Sequence, residues 1–319
     1  MGFTFEIKTE RQHTFASVTG YQGPVRTLFV PSETEEHIPV EEIGGRAFAS
    51  RMDLEEVILP DSVRCIRSFA FYNCAHLHYI KLSDRVIDYY DGALRQCTEL
   101  EEIELHFHTA GSVRLLKELI GDSDAVLPVT LYLPNGDRAA LTFPSYADNY
   151  QEDTMARAIH EHIEGAGYAT RQLVSRTEID MQGYDRQFPR FTYDEPASAV
   201  NAAFGRLRMP WRLEAAYRTQ YEQYLREESP TILPRLLRAE REARFGPEGE
   251  LRWIPQNPTR SDERIRFMMD HQLILEEAIQ PALDVCTELQ DVEHAALLMN
   301  YHRTHFAPTV SAGPELFEL

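Results

Sequence analysis

The sequence predicts an α+β multidomain chain: a short β-solenoid closed by a hairpin cap, then an all-α domain with helices paired as in helical repeats. Three observations lead there. Residues 40–108 repeat with a period of 23, residues 127–143 alternate with a period of 2 about a turn dipeptide, and beyond Pro144-Ser145 the apolar period becomes 3.6. At 319 residues the chain has room for two domains that each bury a core. The division is expected between 1–145 and 146–319.

The repeat carries the strongest signal. Units 40–62, 63–85 and 86–108 align Val40/Val63/Val86, Ile43/Ile66/Tyr89, Ala47/Ala70/Ala93 and Phe48/Phe71/Leu94, then Leu54/Leu77/Leu100, Val57/Ile80/Ile103 and Leu59/Leu82/Leu105. All 21 aligned positions are apolar in a chain that is 43% apolar. Chance agreement would be roughly 10⁻⁸ before allowing for the choice of columns. Within each unit, Leu-x-x-Val/Ile-x-Leu turns alternate side chains inward at strand period. A unit of this size cannot bury its own face, so the copies must stack.

The units "VEEIGGRAFASRMDLEEVILPDS" and "VRCIRSFAFYNCAHLHYIKLSDR", with their Ala-Phe pair and the column cysteines Cys74 and Cys97, resemble the BspA-like leucine-rich repeat family. The resemblance covers roughly residues 15–105. It implies that Leu28-Phe29-Val30-Pro31 stands in an irregular first repeat where Val57-Ile58-Leu59-Pro60 stands later. Pro60 becomes Ser83 and then His106, so the array is expected to end near residue 108.

Such an array needs a cap over its last open core. The run LPVTLYLPNGDRAALTF, 127–143, reads as a hairpin about Asn135-Gly136 with a type I′ turn, assisted by a short helix at Val113–Ile120. Helices are then expected at Asp153–Glu164, Ala197–Arg208, Trp211–Glu227, Thr231–Arg244, Asp262–Met269, Leu273–Leu289 and Val292–His305, with Gly246–Pro258 as a loop. This stretch resembles a helical region found behind such repeats in bacterial proteins, for which no activity is known.

Acidic residues outnumber basic ones 51 to 32, a net charge of −19. Such a surface repels polyanions, which argues against nucleic acid and anionic membrane as partners. No run of 18 apolar residues occurs and MGFTFEIKTERQHTF carries no apolar stretch, so the expected location is cytoplasmic. The four cysteines, Cys65, Cys74, Cys97 and Cys286, have no metal-site spacing and are expected as free thiols.

GxGxxG, GxxxxGK[ST], GxSxG and HExxH are all absent, and no catalytic residue, cofactor or metal is expected. His160 and His162, two apart on a helix, would point away from one another. His106 and His108, two apart near a strand, would share a face with Glu102 or Glu104, and His302 and His305 are spaced one helical turn apart; ordinary surface histidines account for all of these. The pairs Glu41-Glu42, Glu55-Glu56 and Glu101-Glu102 read as solvated strand ends.

Stacking at offset 23 also creates outward columns, Glu56/Tyr79/Glu102 and Ile58/Lys81/Glu104. An aromatic and an aliphatic ringed by charges of both signs is what protein-binding surfaces use. The expected function is therefore a non-enzymatic scaffold binding a protein partner through the repeat face, the helical domain, or both. The alternatives are an enzyme with a site in the helical half or at the domain junction, and a surface adhesin.

Overall fold

The computed structural model describes residues 2–153, 158–238, 240–243, 252–255 and 258–306, with side chains described throughout these except over 148–162 and 239–259. The chain divides into two compact units, Met1–Tyr221 and Glu222–Leu319. The change from strand to helix expected at 145/146 and the division between compact units therefore lie at different places in the chain.

The first unit is built on a coil whose strands alternate between two sheets. Strands β1 (Gly2–Glu10), β2 (His13–Gln22), β4 (Val40–Ile43), β6 (Cys65–Ile66) and β8 (Asp88–Tyr89) form one sheet in that order. Strands β3 (Thr27–Phe29), β5 (Glu56–Ile58), β7 (Tyr79–Ser83) and β9 (Glu102–His106) run parallel in the other. Each repeat adds one strand to each sheet, and a third side is made of stacked turns. There the N–H groups of Phe48, Phe71 and Asn73 donate to the carbonyls of Ala70, Ala93 and Arg95.

Two corners of every turn need a left-handed backbone. Arg46, Phe69 and Gly92 have φ of 59°, 61° and 74°, and Ser50, Asn73 and Gln96 have φ of 60°, 58° and 65°, so left-handed backbone recurs at fixed repeat positions, with a steric cost at all of them but Gly92. Of the 21 apolar column positions, all are buried except Ala47 and Tyr89, in the first and last copies. Phe48 and Phe71 stack with centroids 5.3 Å apart and planes at 6°. All four cysteines are unpaired and buried. The thiols of Cys74 and Cys97 donate to the carbonyls of Phe48 and Phe71 at 3.1 and 3.2 Å, and burial pushes them up to about 11 and about 12.

Both ends of the coil carry a hairpin, on different sheets. At the start, β1 and β2 are antiparallel and β2 runs parallel to β4. Their joint, Arg11-Gln12, has φ of 47° and 68°, the two left-handed residues of a type I′ turn. Neither residue type signals such a turn, and the hairpin was not anticipated. At the far end β10 (Leu127–Tyr132) runs parallel to β9 and antiparallel to β11 (Arg138–Phe143). Its turn corrects the expected type I′ geometry. Leu133 and Asp137 still pair, the Gly136 N–H donates to the Leu133 carbonyl, and Gly136 (φ 86°), not Asn135, is left-handed. Pro134 accounts for this, because its fixed negative φ suits the second position of a type I turn, which a left-handed glycine then completes. Helix α1 (Arg114–Gly121) packs against β8, and Asp122 behind it accepts from the Gly92 N–H and the Tyr89 hydroxyl.

The expected helix at Asp153–Glu164 is instead part of a hairpin, β12 (Ala147–Asp153) with β13 (Ala158–Glu164). Ile159 and Ile163 fit helical spacing, yet so short a window fits a strand equally well once a partner is at hand. His160 and His162 thus lie on a strand, and the argument from helical geometry no longer applies to them; their side chains lie outside the described residues. Four helices follow, α2 (Gly167–Gln172), α3 (Met181–Arg186), α4 (Phe188–Asp194) and α5 (Pro196–Arg208); the first three were not anticipated. Helix α5 lies against β11, with Gly205 at the crossing, where a Cβ would come 3.0 Å from the Ala140 carbonyl oxygen.

Helix α6 (Ala215–Glu227) contains the division between the units, and α7 (Ser229–Leu237) follows in the second. The helix expected to run to Arg244 ends at Leu237; Glu240–Ala243 (β14), within that expected helix, pairs with Arg252–Pro255 (β15), within the expected loop. Apart from Pro258, where α8 begins, the rest of that loop lies outside the described residues. Helices α8 (Pro258–Asp270), α9 (Ile279–Leu289) and α10 (Val292–His305) complete the unit, packed around Leu233, Leu236, Met268, Ala282 and Leu298. Helix α9 starts later than expected, after a 3-10 turn at Glu276–Ala278, because Pro281 has no N–H to continue an α-helix backward. Among the described residues no helix is long and apolar enough to cross a membrane.

Candidate protein-binding face

The six residues singled out in the sequence occupy one surface, the outer face of the sheet ordered β11-β10-β9-β7-β5-β3. Glu56 pairs with Tyr79 and Tyr79 with Glu102; Ile58 pairs with Lys81 and Lys81 with Glu104. Alternation explains the placement, since Val57, Ile80 and Ile103 between them point inward and are fully buried.

Glu104 is the hub. Its carboxylate accepts from the Tyr79 hydroxyl at 2.8 Å, lies 3.2 Å from Lys81 Nζ and is hydrogen-bonded to His106 Nε2. Burial opposes its ionisation, but the hydrogen bonds from His106, Tyr79 and Lys81 outweigh that and hold its pKa below the ordinary value. Burial and the acceptor at Glu104 raise the Tyr79 phenol well above its ordinary range. Tyr79 and Lys81 are therefore locally tied, half-buried parts of a fixed network, not freely projecting anchors.

The acids of the other column are held by threonines on the adjacent strands. Thr27 donates to Glu56 at 3.1 Å and Thr130 to Glu102 at 2.7 Å. Beyond the hub, His106 stacks on Tyr132 with centroids 4.4 Å apart, and the Arg138 guanidinium lies 5.0 Å from the opposite strand's Tyr132 ring centroid. One line of interlocked groups thus crosses β7, β9, β10 and β11.

The most exposed apolar group on this face is Phe29, with 67% of its surface accessible. It pairs in register with Ile58, in the column of Ile58, Lys81 and Glu104. The alignment of Leu28-Phe29-Val30-Pro31 with Val57-Ile58-Leu59-Pro60 already carried this signal. Its spacing of 29 residues instead of 23 kept Phe29 out of the outward columns. His106 was read in the sequence as an ordinary surface histidine, and Tyr132 and Arg138 were missed because their strands belong to the cap.

The histidines do not gather. His106 is engaged with Glu104, whereas His108 Nε2 lies 3.3 Å from Asp61. His302 lies 3.3 Å from Glu276, and His305 sits on the Tyr301 ring. Among the described residues no group of three or more His, Cys, Asp or Glu could hold a metal ion. In an open depression lined by Glu178, Asp180, Arg212 and Glu214, two of the three carboxylates are engaged, Asp180 by the Gly183 N–H of α3 and Glu214 by Gln182.

No curated protein matches the chain. Among solved structures it is similar to a leucine-rich repeat protein from Bacteroides ovatus, at 24% identity over 34% of this chain and 30% of that one, with a TM-score of 0.28. It is also similar to a leucine-rich cell surface protein from Faecalibacterium prausnitzii, at 27% identity over 33% of each chain, with a TM-score of 0.28. The chain thus spans about a third of the length of either. A third similarity, to a leucine-rich repeat protein of T. pallidum, has 22% identity over 32% of this chain and 68% of that one, with a TM-score of 0.23. The family model of the BspA-type leucine-rich repeat region, a model of six copies, matches residues 32–112. With their stacked strands, turn ladder and column of buried cysteines, residues 32–112 are a BspA-type leucine-rich repeat region.

Proposed function

We propose that the protein is a non-enzymatic scaffold that binds a protein partner through the outer face of the six-stranded sheet. The observation that carries this reading is the pairing of exposed Phe29 with Ile58 beside polar groups whose positions are already fixed by Glu104. Apolar anchors ringed by immobilised polar groups lose little entropy on association, which is how protein interfaces concentrate their affinity. Glu56, Tyr79, Lys81, Glu102 and Glu104 supply the ring in this reading, and Tyr79 supports the hub through its hydroxyl.

The test is affinity capture with the full chain and two variants, Ile58→Glu on the face and Met299→Glu on exposed surface of the second unit. A partner retained by wild type and Met299→Glu but reduced at least ~10-fold by Ile58→Glu supports the face, as expected for an interface anchor. A partner lost with Met299→Glu and kept with Ile58→Glu moves the function to the helical unit.

A further inference from the structure

The face ends in an unfinished edge. The sheet stops at β3, and on its β5 side the Arg26 carbonyl accepts from the Glu56 N–H while the Val30 N–H donates to the Ile58 carbonyl. By the alternation of a parallel ladder, the N–H and C=O groups of Thr27 and Phe29 point the other way. No described residue hydrogen-bonds them. At the sheet's far end β11 is covered by α5 and bridged at Ala139 to Pro210.

The other sheet also has an edge strand, β1, but it is blunted by charge. Glu6, Lys8 and Glu10 alternate along it, with Lys8 bound to Glu42 and near Glu6, the usual protection of an edge against pairing. Strand β3 has no charged residue, and it projects Phe29.

We infer, resting on the binding face proposed above, that the partner enters as an extended strand added alongside β3. The unpaired backbone groups specify a strand and not a helix or a loop, because only an extended chain can supply N–H and C=O groups at matching spacing. Side chains on its outward face would lie beside Phe29 and Thr27, so the residue beside Phe29 is aliphatic or aromatic. Two positions along, the neighbour is Thr27 with Glu56 behind it. Glu56 forms no salt bridge among the described residues, since the nearby Arg26 is held by Glu55 and reaches Glu56 only electrostatically, and Glu35 and Glu36 in the turn that follows β3 form none either. The matching residue is therefore Lys or Arg. The same charges, on a chain of −19, disfavour a second copy as the occupant.

The probe is a fluorescein-labelled peptide, Ser-Arg-Val-Val-Val-Arg-Ser, titrated with the full chain and followed by anisotropy. Binding is expected to weaken at least ~10-fold with Phe29→Ser, and as much when both arginines of the peptide are replaced by glutamate. N-methylation of the central valine, or of its two neighbours, removes the strand's hydrogen bonds on one edge; one of the two peptides is expected to lose binding and the other to keep it. Glu56→Gln should weaken the arginine peptide and leave a valine-threonine peptide unchanged. No binding up to ~1 mM, binding indifferent to both N-methylated forms, or a dimer of the chain broken by Phe29→Ser would overturn the inference. If the peptide fails while Ile58→Glu still releases a captured protein, the face stands and the added strand does not.

Discussion

Single side chains in the repeat do work set by their column. Phe71 is fully buried between the column positions of Phe48 and Leu94 and stacks on Phe48. Phe71→Ala is expected to destabilise the first unit by about 3–5 kcal/mol, the usual cost of a large core cavity, read from the shift of the denaturation midpoint. A loss below about 1 kcal/mol would mean the columns are not packed as described. Glu42 illustrates a polar column position. Burial raises the cost of its charge, but hydrogen bonds from Lys8 (2.6 Å), Ser17 (2.7 Å) and Arg67 (2.6 Å) outweigh that and bring its pKa below the ordinary 4.5. A depressed carboxylate contributes stability that is complete above the unfolded value and is lost as pH falls through the folded one. Glu42→Gln should therefore lower stability at neutral pH by about 1–3 kcal/mol and flatten its decline in acid. Equal acid slopes in the two proteins would show that Glu42 carries no charge in the network.

Between elements, one buried ion pair joins three helices. Asp185 on α3 receives Arg206 of α5 at 2.7 and 2.9 Å and the Tyr221 hydroxyl of α6 at 2.8 Å, and both ionic side chains are almost wholly inaccessible. A third Arg206 nitrogen donates to the Trp211 carbonyl at 3.0 Å. The desolvation of two charges cancels most of their attraction, but removing one alone strands the other. Asp185→Ala should cost about 3–5 kcal/mol, while Asp185→Leu with Arg206→Met should recover most of that loss. Thermal unfolding of the two variants separates the cases, and equal melting temperatures would count against a desolvated pair. Elsewhere Arg171 of α2 donates to the backbone carbonyls of Ile120, Pro144, Gly167 and Ala125. It draws the turn before the β12–β13 hairpin and the end of α1 onto one helix.

At the scale of the whole coil, stability is a chain of nearest-neighbour contacts, so each end needs closure. Asp122 closes the last turn, and its burial raises its pKa despite the Gly92 and Tyr89 hydrogen bonds. Asp122→Ala is expected to speed amide exchange across residues 88–97 by about 10-fold or more, equivalent to ~1.4 kcal/mol of local opening. Exchange near β4 and β6 should barely change. Uniform acceleration through all copies would show that the coil opens as a single cooperative body.

The period of 23, the inward columns, the far cap and the register of the outward columns on the six-stranded sheet were all legible in the sequence. Each depends only on alternation within a strand and on identical units stacking at constant offset, so the residues themselves carry the information. Tertiary structure alone decided four things. It made a strand of 158–164, whose pattern suits either conformation until β12 supplies the hydrogen bonds. It added the β1–β2 hairpin, whose left-handed Arg11 and Gln12 are held by strand pairing and not by turn propensity. It left Phe29 exposed beside an unpaired edge and turned Tyr79 onto Glu104. Exposure and hydrogen bonding are relations between residues far apart in the chain, and a local pattern reads which way a side chain points but not what it meets there.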